Sequence, residues 1–216
     1  MRQQFQRQHS TDDKYLEQKE PNKTEVPTGY FGQLCPQYQI MQNFDRSRWY
    51  EGFRDRRIPF EKGECVKANY GENPDGTISV DNSEQRLCPN DGVTRLPRRA
   101  KGTRKVGFGR VDPDRPNEGA IQIKWTNWQP VWGAYDILQT DYDNYAVIYS
   151  CRAYWGGMFK YEYAWILMRQ PHLRGSPEFK EIERKDKAIL QRDVPSFNLN
   201  LLRQTAQGSD ADCVYD

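Results

Sequence analysis

Cys65-Val-Lys-Ala-Asn-Tyr70, Asn73-Pro-Asp-Gly76 and Thr77-Ile-Ser-Val-Asp-Asn82 follow one another almost without interruption. In the first run Val66, Ala68 and Tyr70 share one face, and Lys67 and Asn69 share the other. In the last run Ile78, Val80 and Asn82 fall together. A period of two over six residues belongs to a strand with one face buried. The Asn-Pro-Asp-Gly between the runs supplies a turn, with glycine where a left-handed backbone is wanted. The stretch predicts a β-hairpin.

Working outward, Trp49–Phe53 predicts a strand upstream, with a turn at Ile58-Pro59. Downstream, residues 83–104 read as a long loop carrying Cys88-Pro89, Asn90-Asp-Gly92 and Pro97. A basic cluster runs from Arg95 through Arg98, Arg99, Lys101 and Arg104 to Lys105. Further strands are predicted at Val106–Val111, Ala120–Trp125, Tyr135–Thr140, Tyr145–Tyr154 and Tyr161–Arg169. Eight short strands at hairpin spacing suggest a meandering barrel or a sandwich. One helix follows. Ser176 suits its N-cap and Pro177 its first position, and Phe179, Ile182 and Ile189 form one stripe. It is expected to run to about Arg192 and stop before Pro195. An extended piece at Phe197–Leu202 precedes the tail.

Residues 1–34 form a polar extension, too poor in apolar side chains to fold alone. Such a segment leans on a partner protein or neighbouring subunit, or wraps on its own domain. The remainder, 35–216, reads as one domain. Hydrophobic residues are 36% of the chain, and aromatics, at 13%, partly make up for so modest a core. Lysines and arginines number 32 against 30 acids, a net charge of +2, which makes no case for nucleic acid as a partner. No apolar run approaches the roughly 20 residues of a membrane-spanning helix. The opening residues hold no apolar core of a signal peptide. The five cysteines, Cys35, Cys65, Cys88, Cys151 and Cys213, include no C-x-x-C pair, and His9 and His172 are the histidines, so no metal site is expected. Two disulfides and a spare thiol would place the chain outside the cytosol, secreted or in an organelle lumen. Five buried thiols in a reducing compartment are the alternative. Asn22-Lys-Thr24 is a glycosylation sequon if the chain is secreted.

Three motifs, in order, carry a family resemblance. They are Asn43-Phe-Asp45 with Arg48-Trp49-Tyr50-Glu51, Thr140-Asp-Tyr142 with Asn144-Tyr145-Ala146 and Tyr149-Ser-Cys151, and Trp165-Ile-Leu-Met-Arg169. With the strand order and the late helix, the chain resembles the lipocalin family, in its apolipoprotein D- and crustacyanin-like branch. Ser47 departs from the pattern, standing where the family commonly has glycine.

The resemblance implies an all-β fold: an eight-stranded antiparallel up-and-down β-barrel with one C-terminal α-helix packed outside. It implies that Trp49 and Arg169 meet at the closed end, a structural role, with Thr140, Asp141 and Tyr142 turning the chain there. It pairs Cys35 with Cys151 and Cys65 with Cys213, leaving Cys88 as a free thiol or a link to another chain. It places Tyr70, Asn82 and Trp165 on the wall of a ligand cavity. Strand parity adds Val66, Ala68, Ile78, Val80, Tyr161, Tyr163 and Leu167 to that wall. The function so implied is binding and carriage of a small hydrophobic ligand: a fatty acid, retinoid, steroid, bilin or carotenoid. No cofactor is expected beyond such a bound lipid, retinoid or pigment. Asp141 has no histidine or second acid in its motif, and no catalytic residues are expected. The alternative function is a non-catalytic accessory or scaffold subunit docked through residues 1–34. For Arg95–Lys105 the readings are contact with anionic lipid, an acidic partner surface, or a solvated loop.

Overall fold

The computed structural model describes residues 48–85, 102–116, 118–155, 158–210, 213 and 215. The extension 1–34, the Asn43–Asp45 motif, Ser47, Cys35, Cys88 and most of the basic cluster lie outside the described residues.

Eight antiparallel strands wind up and down: β1 (Arg48–Asp55), β2 (Glu64–Glu72), β3 (Ile78–Gln85), β4 (Thr103–Val111), β5 (Ala120–Lys124), β6 (Gly133–Thr140), β7 (Tyr145–Tyr154) and β8 (Phe159–Met168). Each pairs with the next, and β1 pairs with both β8 and β2, which closes the barrel. The predicted hairpin is present, with Ala68 opposite Asn82 and Tyr70 opposite Val80. Its turn is closed by the Asn73 N–H donating to the Thr77 carbonyl at 2.8 Å, and Gly76 holds φ 79°. An L side chain rarely adopts that conformation, so glycine there is a requirement of the turn.

The helix α1 spans Pro177–Asp193, and the Ser176 side chain accepts from the Phe179 N–H, as an N-cap does. It lies on the outside of β6 and β7. Tyr145, Val147 and Tyr149 of β7 and Ala164 of β8 pack with Ile189 and Leu190 beneath it, while Ile166 and Met168 pack with Phe53 and Phe179. These two strands are therefore buried on both faces. That is why Tyr145–Tyr149 and Ala164–Met168 read as unbroken apolar runs, whereas β2 and β3 alternate. Among the described residues no helix is long and apolar enough to cross a membrane.

Two boundaries differ from expectation. β3 runs on to Gln85 and β4 begins at Thr103, so both strands cut into the predicted 83–104 loop. Arg104 pairs there with Asp81 across the ladder, at 2.7 Å. The extended piece expected at Phe197–Leu202 is instead a 3-10 turn, Leu199–Leu201, followed by β9 (Leu202–Gln204). The reason lies in β1. Only its first residues, 48–50, pair with β2, and a bulge follows between Glu51 and Phe53. Past that point β1 and β2 diverge, and β9 pairs with Phe53–Asp55. The tail then bridges the seam: Thr205 N–H donates to the Gly52 carbonyl at 3.0 Å, and Cys65 N–H to the Ala206 carbonyl at 2.9 Å. The Cys65–Cys213 disulfide pins it. Cys151 is also disulfide-bonded.

Candidate functional site

Trp49 marks one end of the barrel. The Arg169 guanidinium stands 3.8 Å from its ring centroid and donates from Nε to the Tyr142 carbonyl at 2.5 Å and from Nη1 to the Arg48 carbonyl at 3.2 Å. A planar cation over an indole face, with its fork on carbonyls, holds three chain segments together. The turn beside it is held by Thr140, whose Oγ1 donates to the Tyr145 carbonyl and accepts from the Tyr142 N–H, and by Asp141, which accepts from the Asn144 and Tyr145 N–H groups. Ile121, Ile137, Ile148 and Ala146 fill the interior above Trp49. This end is plugged.

The other half is hollow. A cavity of about 310 Å³ opens between the strands at the far end. Tyr70, Asn82 and Trp165 line it, together with Val66, Ala68, Val80, Tyr161, Tyr163 and Leu167. Ile78 does not line it. It starts β3 at the closed end and packs against the plug. On β4, Gly107 stands opposite Val80, and its missing side chain lets the Trp125 ring lie close against the strand. A Cβ there would meet the Lys124 carbonyl oxygen at 2.7 Å and the Trp125 ring at 2.8 Å. The walls are aromatic: Tyr161, Tyr163, Trp165, Tyr135 and Tyr70 form a continuous ladder with ring centroids 5.4–6.3 Å apart.

Polar atoms on the wall are few. The Tyr70 and Tyr135 hydroxyls bond each other at 2.7 Å, and burial pushes both phenols upward in pKa. Asn82 Nδ2 and Trp165 Nε1 both donate to Glu61, at 2.9 and 2.8 Å. Sequence reasoning missed Glu61. It lies in Phe60-Glu-Lys-Gly63, which reads as a solvated turn. The segment enters the barrel because Ile58 is fully buried and the Lys62 and Gly63 N–H groups donate to Glu84. Glu51, also on the wall, accepts from Arg54 Nη1 at 2.7 Å and from the Thr205 hydroxyl. Burial, and then the neighbouring Glu61, push its pKa up to about 8 despite Arg54. Burial raises Glu61 as well. Ile123, Trp125, Tyr135 and Ser150 are among the wall residues outside the predicted set. Of these, Ile123 and Trp125 follow from the β5 alternation. Among the described residues no group of three or more His, Cys, Asp or Glu is placed to hold a metal ion.

The loops around the mouth carry exposed aromatics. Trp128 is 84% exposed and Trp155 78%, with Phe60, Val131, Met158 and Phe159 also exposed. Exposed Lys62 and Lys105 stand among them, and Lys105 donates to the Phe60 carbonyl at 2.7 Å.

The chain is 36% identical over 146 residues to apolipoprotein D of Macaca fascicularis, a match covering 64% of this chain and 68% of that protein. Among solved structures, insecticyanin from the tobacco hornworm Manduca sexta superposes with a TM-score of 0.61 at 21% identity, covering 85% of this chain and 91% of that one. Lobster apocrustacyanin A1 gives 0.55 at 21% identity over 76% and 77%. These two likenesses are of fold. No family model matches the sequence.

Proposed function

The chain belongs to the lipocalin family, and from that premise we propose that it binds and carries a small hydrophobic ligand in the open half of its barrel. The observation that carries the reading is the hollow itself. About 310 Å³ lined by an aromatic ladder and a few fixed polar atoms is the form of a small-molecule site. A scaffold subunit docked through residues 1–34 has no use for it. The Cys65–Cys213 disulfide supports an extracytosolic setting.

The test is saturable quenching of tryptophan fluorescence by retinol, alongside uptake of the neutral fluorescent probe N-phenyl-1-naphthylamine. Ala68 faces the cavity opposite Asn82. Ala68→Phe is expected to weaken both by about tenfold or more by filling the space, with the far-ultraviolet circular dichroism unchanged. Absence of saturable binding by the wild-type protein sinks the reading.

The exposed rim favours an anionic lipid surface as the source of the ligand. Tryptophan sits well at a membrane interface, and Lys62 and Lys105 supply charge of the right sign. Replacing Trp128 and Trp155 by serine is expected to lower partition onto phosphatidylcholine–phosphatidylserine vesicles by about tenfold. Ligand affinity in solution should stay the same. Unchanged partition would remove the lipid surface from the account.

A further inference from the structure

The cavity wall carries two carboxyls, Glu51 and Glu61, and no lysine, arginine or histidine among the described residues. Glu51 is engaged by Arg54 and Thr205, and the second Arg54 nitrogen donates to the Gly63 carbonyl at 2.6 Å. Glu61 is differently placed. It is 8% exposed, and its two oxygens are held apart, Oε1 by Asn82 and Oε2 by Trp165. Those donors come from β3 and β8, the strands that flank β2 and β1 in the wall, and fix the carboxyl against the hollow. Each oxygen keeps a lone pair beyond the bond it accepts. The charged groups acting on Glu61 are Arg54 and Glu84, and Glu51 is raised by Glu61 in turn. The interior is therefore short of positive charge.

From this we propose that Glu61 sorts ligands by their polar end: an apolar molecule ending in a hydroxyl is held, and its carboxylate analogue is disfavoured. The inference rests on the cavity being a ligand site. A hydroxyl both donates and accepts, so it satisfies Glu61 whether the carboxyl is ionised or neutral. A second carboxylate beside Glu61 does so only where a proton is taken up and shared between the two. Two such groups a few ångströms apart in an apolar enclosure cannot both ionise without cost. One must take up a proton or stay out at the mouth, where Lys105 lies. The discrimination comes from an unmatched charge, which separates ligands of the same shape more sharply than shape does.

Retinol and retinoate share one skeleton and differ in that end group. At pH 7.5 the wild-type protein is expected to bind retinol at least about tenfold more tightly than retinoate. Glu61→Gln keeps the shape and removes the charge. It is expected to narrow that ratio to about threefold or less, chiefly by tightening retinoate. Equal affinities in the wild type, or a ratio that Glu61→Gln leaves intact, would overturn the proposal. The wild-type comparison stands even if the variant does not fold. N-phenyl-1-naphthylamine separates the two levels of failure. If this neutral probe binds and the alcohol is not preferred, the sorting role alone is lost. If the probe, retinol and retinoate all fail to bind, the carrier reading goes and the inference with it.

Discussion

Replacing Cys213 by serine is expected to lower stability by about 2–5 kcal/mol and the thermal midpoint by about 5–15 °C. The disulfide joins positions 148 residues apart. In the chain-entropy account, a loop that long restricts the unfolded chain by about 5 kcal/mol. Opposing this, Cys65 holds φ 57°, a left-handed conformation costly for a residue with a Cβ. The conformational cost is of order 1–3 kcal/mol and does not outweigh the cross-link. Little of the loss should come from the folded state, because the tail has other anchors. Gln207 Nε2 donates to the Glu51 and Val66 carbonyls at 2.8 and 3.0 Å, spanning the seam between β1 and β2. Arg203 reaches Glu64 at 2.8 Å and the Ala206 N–H donates to the same carboxylate at 2.6 Å. At 25 °C the variant should therefore keep the seam shut and bind apolar probes as the parent does. Guanidinium unfolding of Cys213→Ser beside the oxidised parent measures the first effect, and probe titration the second. An unchanged midpoint would mean that the unfolded chain is already confined. A large loss of binding would mean that the disulfide, and not Gln207, closes the barrel wall.

The parts of the fold legible in the sequence are those whose burial is local and periodic. β2, β3 and β5 alternate because one face meets the interior and the other water, and α1 declares itself by its cap and stripe. β7 and β8 do not alternate, yet their length and the turns around them mark them as strands. Their continuous apolar character is explained by the second covering layer that α1 supplies. What escaped is what depends on distant partners. β9 has no pattern over its three residues and exists because the bulge in β1 leaves an edge to be paired. Glu61 looks like a solvent residue until Trp165, 104 positions away, is brought against it. Ile78 has the parity of a cavity residue but the wrong height, and parity carries no information about height along the barrel. Tyr70, Asn82 and Trp165 were placed by resemblance, and they stand together on the wall. Their joint engagement through Glu61, which binds two of the three, is a property of the assembled barrel alone.

Asp186 gives the second large effect, and its sign depends on pH. The residue is fully buried under α1, and among the described residues neither side-chain oxygen has a hydrogen-bond partner. Lys185, its neighbour in sequence, lies over the Tyr145 ring at 4.3 Å and lowers the Asp186 pKa only in part. Burial, with Asp141 adding to it, pushes the carboxyl up to about 8. In the unfolded chain it titrates near 4. Below about pH 4 both states carry the proton and the group's contribution to stability is fully present. Between about 4 and 8 the unfolded chain ionises while the folded one does not, and stability falls by about 1.4 kcal/mol per pH unit. Above about 8 the folded group ionises too, and the fall levels off. Asp186→Asn removes the titration without changing shape and breaks no hydrogen bond among the described residues. The variant should gain little below pH 4.5 and up to about 5 kcal/mol at pH 8, raising the midpoint there by about 10 °C or more. Glu51 and Glu61 are common to both proteins, so the difference between variant and parent isolates Asp186. The measurement is denaturant unfolding of both proteins at pH 4.5, 6 and 8. A difference that does not grow with pH would mean that the carboxyl is solvated as readily in the folded protein as in the unfolded chain. The closed face between α1 and β7 would then be more open than the packing of Ile189 and Leu190 against Tyr145 and Val147 allows.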